Sequence, residues 1–290
     1  MSETPLPFTG ERFTPECVRE IWYEHMHRYA FALPLARGAR VLDAACGEGY
    51  GSALLAGAAQ SVLGADISIK AVGHARSRYG QVPNLSFLQA DCTALDELPS
   101  ASFDLIVSFE TLEHVEAQER MLDGFARLLA EDGLLLVSTP DKHTYTDLTG
   151  QTNEFHVREL YRPEFEALLA PRFPNVRLFG QKLLFQSALW DATKGAAPDS
   201  FSAATQRRDG DLAQRLDYPP LYYIAVCARK PERLAALPGL HLFGDAAESV
   251  YSHYNEEVRR HIAAGLMLRD RDAQIERLRA HIAELEAASR

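Results

Sequence analysis

Three carboxylates and a run of alternating glycines set the chemistry open to this chain. The apolar stretch Arg40-Val41-Leu42 runs into Asp43-Ala44-Ala45-Cys46-Gly47-Glu48-Gly49-Tyr50-Gly51. Glycines at alternate positions permit positive φ and close approach of a ligand to the backbone, and a helix that follows aims its N-terminus at that ligand. The run lacks the G-x-G-x-x-G spacing of a pyrophosphate cradle, and it opens on an acid. Two further apolar stretches end in Asp66 and Asp91. Asp66 lies 15 residues beyond Gly51, about where a carboxylate accepts from both hydroxyls of a ribose. Asp91 can accept from an adenine amino group. Acids at three successive strand tips fit an adenosine ligand that carries no phosphate. A fourth stretch ends in Ser108-Phe109-Glu110-Thr111-Leu112-Glu113-His114. A neutral imidazole at His114, with Glu110 and Glu113 beside it, can take the proton of an attacking alcohol. A second reading gathers Glu110, Glu113, His114 and His156 around one divalent cation. Two carboxylates and two imidazoles suit a transition metal such as Mn²⁺ better than Mg²⁺, which prefers oxygen ligands. The structural alternative is that the loop acids only cap turns and that His114 only caps the next helix.

Bringing these residues together requires strands that alternate with helices. Strands are predicted at 39–42, 61–65, 85–89, 103–109 and 133–138. Helices are predicted at 16–33, 52–57, 67–79 with Ser68 as N-cap, and 114–130 from a stripe of helical period. Strand–helix alternation implies a parallel sheet with right-handed crossovers. Beyond residue 150 the pattern predicts a short helix at 162–169 and two more strands at 176–186 and 222–228. The polar stretch 191–218 between those strands reads as an insertion over the site or a loop. The helix near the N-terminus puts His25, Arg28 and Tyr29 on one face, which reads as a lid. Trp22, Tyr23 and Tyr29 either stack on a ligand ring or fill the seam beneath that lid.

The chain has 290 residues, with 47% hydrophobic and 24% charged, which suits one α/β domain and an appendage. A net charge of -10 argues against a long nucleic-acid partner. Cys17, Cys46, Cys92 and Cys227 form no C-x-x-C pair, so neither a zinc knuckle nor a redox motif is expected. The opening residues carry no basic-then-apolar leader, and no apolar run approaches the ~18 residues of a membrane span. These features predict a cytoplasmic protein without direct membrane insertion. The organisation expected is an arm and lid at 1–37, a catalytic domain at 38–232 and a helical tail at 240–290. In the tail Leu268, Ile275 and Ile282 fall seven apart, with Leu278 and Leu285 at the alternate positions and Arg271 interrupting them. That pattern reads as a helix packed on the domain or as a short dimerising coiled coil.

VLDAACGEGYG, GADIS, QADCTALDELP and FDLIVSFETLEHV, in that order, resemble the class I S-adenosylmethionine-dependent methyltransferases. The resemblance covers residues 39 to about 230. It implies a Rossmann-like, mostly parallel seven-stranded sheet whose last strand is antiparallel. It also implies S-adenosylmethionine as cofactor. By position, Gly47 and Gly49 lie against the methionine part, and Asp43 and Ala45 complete the loop. Asp66 binds ribose, Asp91 binds adenine, and Ile67 and Cys92 flank the ring. Glu110 and Arg28 join this set, Arg28 neutralising the cofactor carboxylate. The E-x-x-E-H pattern is similar to that of ubiquinone-pathway O-methyltransferases and, with a later histidine, to plant small-RNA 2′-O-methyltransferases. In those families a metal holds the acceptor oxygen. Thr9 to Phe13, Glu24 to Tyr29, Thr139 to Tyr145 and Asn153 to Glu159 resemble methyltransferases of bacterial O-antigen and capsule synthesis. That likeness implies a sugar hydroxyl as acceptor. It also implies a glycan-assembly partner for the C-terminal helix. The competing expectations are a phenolic small molecule, the ribose of an RNA, or a cofactor-binding scaffold without catalysis.

Overall fold

The computed structural model describes residues 20–189, 193 and 202–289. The expected N-terminal arm, Cys17, the Thr9–Phe13 motif and most of 190–201 lie outside the described residues. The chain divides into two compact units, 1–243 and 244–290.

The first unit is a seven-stranded sheet with helices on both faces. Its strands are β1 (Arg40–Ala44), β2 (Ser61–Asp66), β3 (Leu85–Gln89), β4 (Phe103–Ser108), β5 (Leu129–Pro140), β6 (Asn175–Gln181) and β9 (Tyr222–Ala228). A two-stranded hairpin, β7 (Thr205–Gln206) and β8 (Leu212–Ala213), lies between β6 and β9. The sheet order is β3-β2-β1-β4-β5-β9-β6, and β9 runs antiparallel to both its neighbours. Side chains alternate across it: Val41, Leu105 and Leu134 enter one core layer, and Leu42, Ile106 and Leu135 enter the other. Because both faces are covered, the central strands read as unbroken apolar runs. Helices α1 (Glu20–Ala32), α2 (Tyr50–Ala56) and α3 (Ile69–Tyr79) precede β4, and α4 (Gln118–Leu128) and α5 (Arg162–Leu169) follow it. A short helix, α6 (Glu232–Ala235), comes after β9.

The strand order reverses between β1 and β4. In a doubly wound sheet that reversal opens a crevice beyond the strands' carboxyl ends. The four acid-bearing tips therefore meet there.

Several expected boundaries moved. α3 starts at Ile69, after Ser68 accepts from the Ala71 amide at 3.3 Å, so the N-cap stands as read. Helix 114–130 instead begins at Gln118. A separate tight turn, Leu112–His114, comes first, so His114 lies on that turn and not on a long helix. β5 starts earlier than expected because Leu129 already pairs with Phe103. The strand read as 176–186 stops at Gln181, where pairing with Tyr222 ends.

The second unit is α7 (Ser249–Ala288), a single helix of 40 residues. Asp245 starts it by accepting from the Ser249 amide and hydroxyl. Among the described residues no helix is long and apolar enough to cross a membrane.

Candidate active site

The loop after β1 has three residues with positive φ: Ala45 (61°), Gly47 (54°) and Gly49 (81°). A left-handed alanine costs roughly 1–2 kcal/mol, strain of the kind that collects at ligand sites. The strain curls the loop so that the Gly47 amide donates to Asp66 Oδ2 at 2.9 Å. Asp66 Oδ1 accepts from the Ser68 amide at 2.8 Å. One carboxylate thus ties the glycine loop to the start of α3. Beyond it Ile67 is 67% exposed and lines the same cavity, an apolar side chain placed to cover a flat ring.

That cavity measures about 360 Å³. Ala45, Gly47, Asp66, Ile67, Asp91 and Cys92 form one end, and Glu110, Glu113, His114 and His156 form the other. The face of α1 carrying Ile21, His25 and Tyr29 closes over it.

Three residues expected at the cofactor, Asp43, Gly49 and Arg28, are not among those that line the cavity. Asp43 is fully buried, and its carboxylate accepts from Ser52 Oγ at 2.6 Å and Tyr29 Oη at 3.1 Å. Burial pushes its pKa up to about 6, against the lowering effect of those two hydroxyls. Its role is to latch the α1 lid to the β1 tip. Gly49 caps α2, and the side where a Cβ would stand faces Phe87 and Ala75. Arg28 is 1% exposed; its Nε donates to Gln181 Oε1 at 2.8 Å. Its guanidinium lies 4.5 Å from the centre of the Tyr222 ring. Nη2 is 3.4 Å from Glu110 Oε1, yet neither Nη atom makes a hydrogen bond. A buried guanidinium with unmet donors, one residue behind the cavity wall, fits a ligand carboxylate. Beside it burial raises Glu24 to about 7 despite the Arg28 charge.

At the other end, Glu110 has a φ of 50°, and its amide and carboxylate both engage Ser138 Oγ, at 2.9 and 2.7 Å. With Arg28 as its other partner, Glu110 is turned away from a shared metal site, which corrects the four-residue cluster read from sequence. The three that do converge are Glu113, His114 and His156, whose ligating atoms lie within 4.8 Å of one another. His114 Nδ1 donates to the Phe155 carbonyl at 2.8 Å, which leaves Nε2 as the acceptor nitrogen. Nε2 is 3.9 Å from Glu113 Oε1. His156 Nδ1 donates to Glu159 Oε1 at 2.5 Å, and Tyr145 stacks on its ring. The Glu113 carbonyl accepts from the Val157 and Arg158 amides, which fastens this histidine segment to the β4 tip. Glu113 is 1% exposed with Oε2 unpartnered, and burial, then the Glu110 charge, holds its carboxyl well above the usual range. One carboxylate and two oriented imidazoles suit a borderline divalent ion.

Trp22 and Tyr23 meet Phe243, so these aromatics fill the seam beneath α1. Sequence reasoning missed Tyr222, which joins the cavity from the start of β9 with no motif to announce it. It also gave no role to Tyr145 and Asn153, although both lie in quoted motifs.

Residues 42–137 match a family model described as a methyltransferase domain. The chain is 39% identical over 171 residues to a probable S-adenosylmethionine-dependent methyltransferase of Mycobacterium tuberculosis. That match covers 58% of this chain and 61% of its relative, so the chain spans about six-tenths of the length of that relative. It is 36% identical over 111 residues to a ubiquinone biosynthesis O-methyltransferase of Glaesserella parasuis, covering 35% of this chain and 45% of that one. In three dimensions it is similar to the YcgJ protein of Bacillus subtilis, with a TM-score of 0.51 at 20% identity over 71% of this chain and all of that one. The fold is that of the class I methyltransferases.

Proposed function

We propose that this chain, whose residues 42–137 match a methyltransferase-domain model, is an S-adenosylmethionine-dependent enzyme that methylates a hydroxyl of a sugar in a bacterial surface polysaccharide or its precursor. The observation that carries O-methylation is the setting of His114: its Nδ1 is fixed by a carbonyl, and its Nε2 lies in the cavity lining 3.9 Å from the buried Glu113. When bound, the cofactor supplies an electrophilic methyl group on a sulfonium sulfur. Asp66 holds the ribose, Asp91 the adenine edge, Ile67 and Cys92 the ring faces, and Arg28 the carboxylate. His114 Nε2 takes the acceptor's hydroxyl proton. Glu113, 3.9 Å away, stands beside the imidazolium that results, and that positive charge favours its ionised form. Tyr145 and His156 offer stacked rings, and Asn153 an amide, to a polyhydroxylated acceptor. Similarity to an O-methyltransferase supports oxygen as the acceptor atom. The sugar rests on the resemblance of the Thr139 to Tyr145 and Asn153 to Glu159 motifs to O-antigen and capsule enzymes.

A second reading has its own observation, a buried Glu113 whose Oε2 is unpartnered and whose carboxylate is clustered with two oriented imidazoles. Glu113, His114 and His156 would hold a divalent cation there, which would lower the pKa of an acceptor hydroxyl. The test is methyl transfer from labelled S-adenosylmethionine to sugars, nucleotide sugars, glycans, catechols and short RNAs, with and without EDTA. Transfer to a sugar that ignores EDTA supports His114 as base. Loss with EDTA and recovery with Mn²⁺ supports the cation. Transfer only to a catechol or RNA, or to none of these, refutes the sugar acceptor.

A further inference from the structure

The helix α7 has an apolar seam whose residue types specify what covers it. Leu268, Ile275 and Ile282 recur every seven residues, and Leu278 and Leu285 recur between them. These are the a and d positions of a heptad over 268–288. All five side chains are between 45% and 65% exposed. An uncovered stripe of this kind loses the stabilisation that a packed leucine gives, and helices of this length draw most of their stability from such a face.

Three features select a second copy of this chain as the occupant. Isoleucine at a with leucine at d favours two parallel strands over three or four. Parallel pairing sets each g residue against the e residue of the next heptad in the partner helix. Here that places His281 against Glu286 and Gln274 against Arg279, so no like charges meet at these flanking positions. The antiparallel register that pairs Ile275 with Leu285 and Leu278 with Ile282 would set Arg279 against its own copy and Asp272 against Glu286. Like charges at those positions oppose that register. Arg271 occupies one d position near the start of the seam and faces its own copy there, a local cost that is lessened where the two long stems lie along apolar surface and the heads turn out to water.

The seam does not run the whole helix. Tyr251, Tyr254, Val258, Ile262 and Leu266 form a second exposed stripe, rotated roughly 150° from the first at 100° per residue. Pairing is therefore assigned to the C-terminal half.

We propose that the chain forms a parallel two-stranded homodimer through residues 268–288. This inference is independent of the acceptor and of the reaction.

The full chain is tested in two ways, with binding of S-adenosylhomocysteine confirming that each variant's domain is folded. In sedimentation equilibrium the wild type shows a monomer–dimer equilibrium, and Leu278→Ala raises its dissociation constant about a hundredfold. On mild oxidation, Leu278→Cys and Leu285→Cys each trap disulfide-linked dimers beyond any formed by the unsubstituted chain, since in-register d positions bring the Cα atoms within disulfide reach. Crosslinking at one position and not the other would mean antiparallel or shifted strands and would overturn the assignment. A monomer at every concentration, or a trimer by mass, would do the same.

Discussion

Gly51→Ala should be among the most damaging single-methyl changes in the protein, although it replaces glycine by the best helix former. Gly51 lies in the first turn of α2, and alanine there gains up to about 1 kcal/mol of helix propensity. The new methyl would fall inside the Tyr29 ring. Tyr29 has nowhere to retreat, because its ring centre is 5.2 Å from Phe109 and 5.3 Å from Tyr50, and it is 5% exposed. Overpacking of this kind costs about 1–3 kcal/mol. Displacing the ring also breaks its bond to the buried Asp43 carboxylate, worth about 1.5–3 kcal/mol. The net is a loss of roughly 2–5 kcal/mol, with weaker cofactor binding because Tyr29 lines the cavity. Urea unfolding of wild type, Gly51→Ala, Tyr29→Ala and the double variant measures it. With the ring gone, Gly51→Ala should cost nothing or stabilise slightly. An equal cost in both backgrounds, or a neutral Gly51→Ala, would refute the lid latch.

Three other outcomes are expected. Arg28→Met should weaken S-adenosylhomocysteine by about 2–3 kcal/mol while leaving 5′-methylthioadenosine, which lacks the carboxylate, nearly unchanged; calorimetry showing equal losses for both would place Arg28 elsewhere. Asp43, raised to about 6 in the folded chain, contributes stability that is full below its unfolded value near 3.8 and is lost as pH rises through 6. Asp43→Asn should remove that slope, at most about 3 kcal/mol, and a slope unchanged in urea titrations at several pH values would argue against it. Glu113→Gln should keep or raise the melting temperature, since an unpartnered buried carboxyl is costly, yet lower methyl transfer at least about tenfold. A variant that melts lower and transfers methyl normally would reverse the assignment.

How much of this was legible in the sequence follows from the range of the interactions involved. The sheet and its acid tips were, because each strand is a local apolar run and each tip acid follows it directly. Ser68 was readable as a cap for the same reason. Asp43 and Gly49 read as cofactor contacts in the sequence because nothing local shows which groups claim them first. The Tyr29 hydroxyl and the Phe87 ring do so, from 14 and 38 residues away. The four-residue cluster of Glu110, Glu113, His114 and His156 failed at one member for a similar reason. Ser138 lies on β5, and its pull on Glu110 depends on the pairing of β4 with β5. Tyr222 enters the cavity only because β9 turns antiparallel, a matter of topology.

Calorimetry tests whether the cavity holds an adenosyl sulfonium cofactor at Asp66 without knowledge of the acceptor. S-adenosylmethionine and S-adenosylhomocysteine should each bind one per chain, and ATP and NAD should not bind. Asp66→Ala should abolish binding, because it removes both the ribose acceptor and the brace on the Gly47 amide. No binding by the wild type, or unaltered binding by Asp66→Ala, would contradict the central assignment.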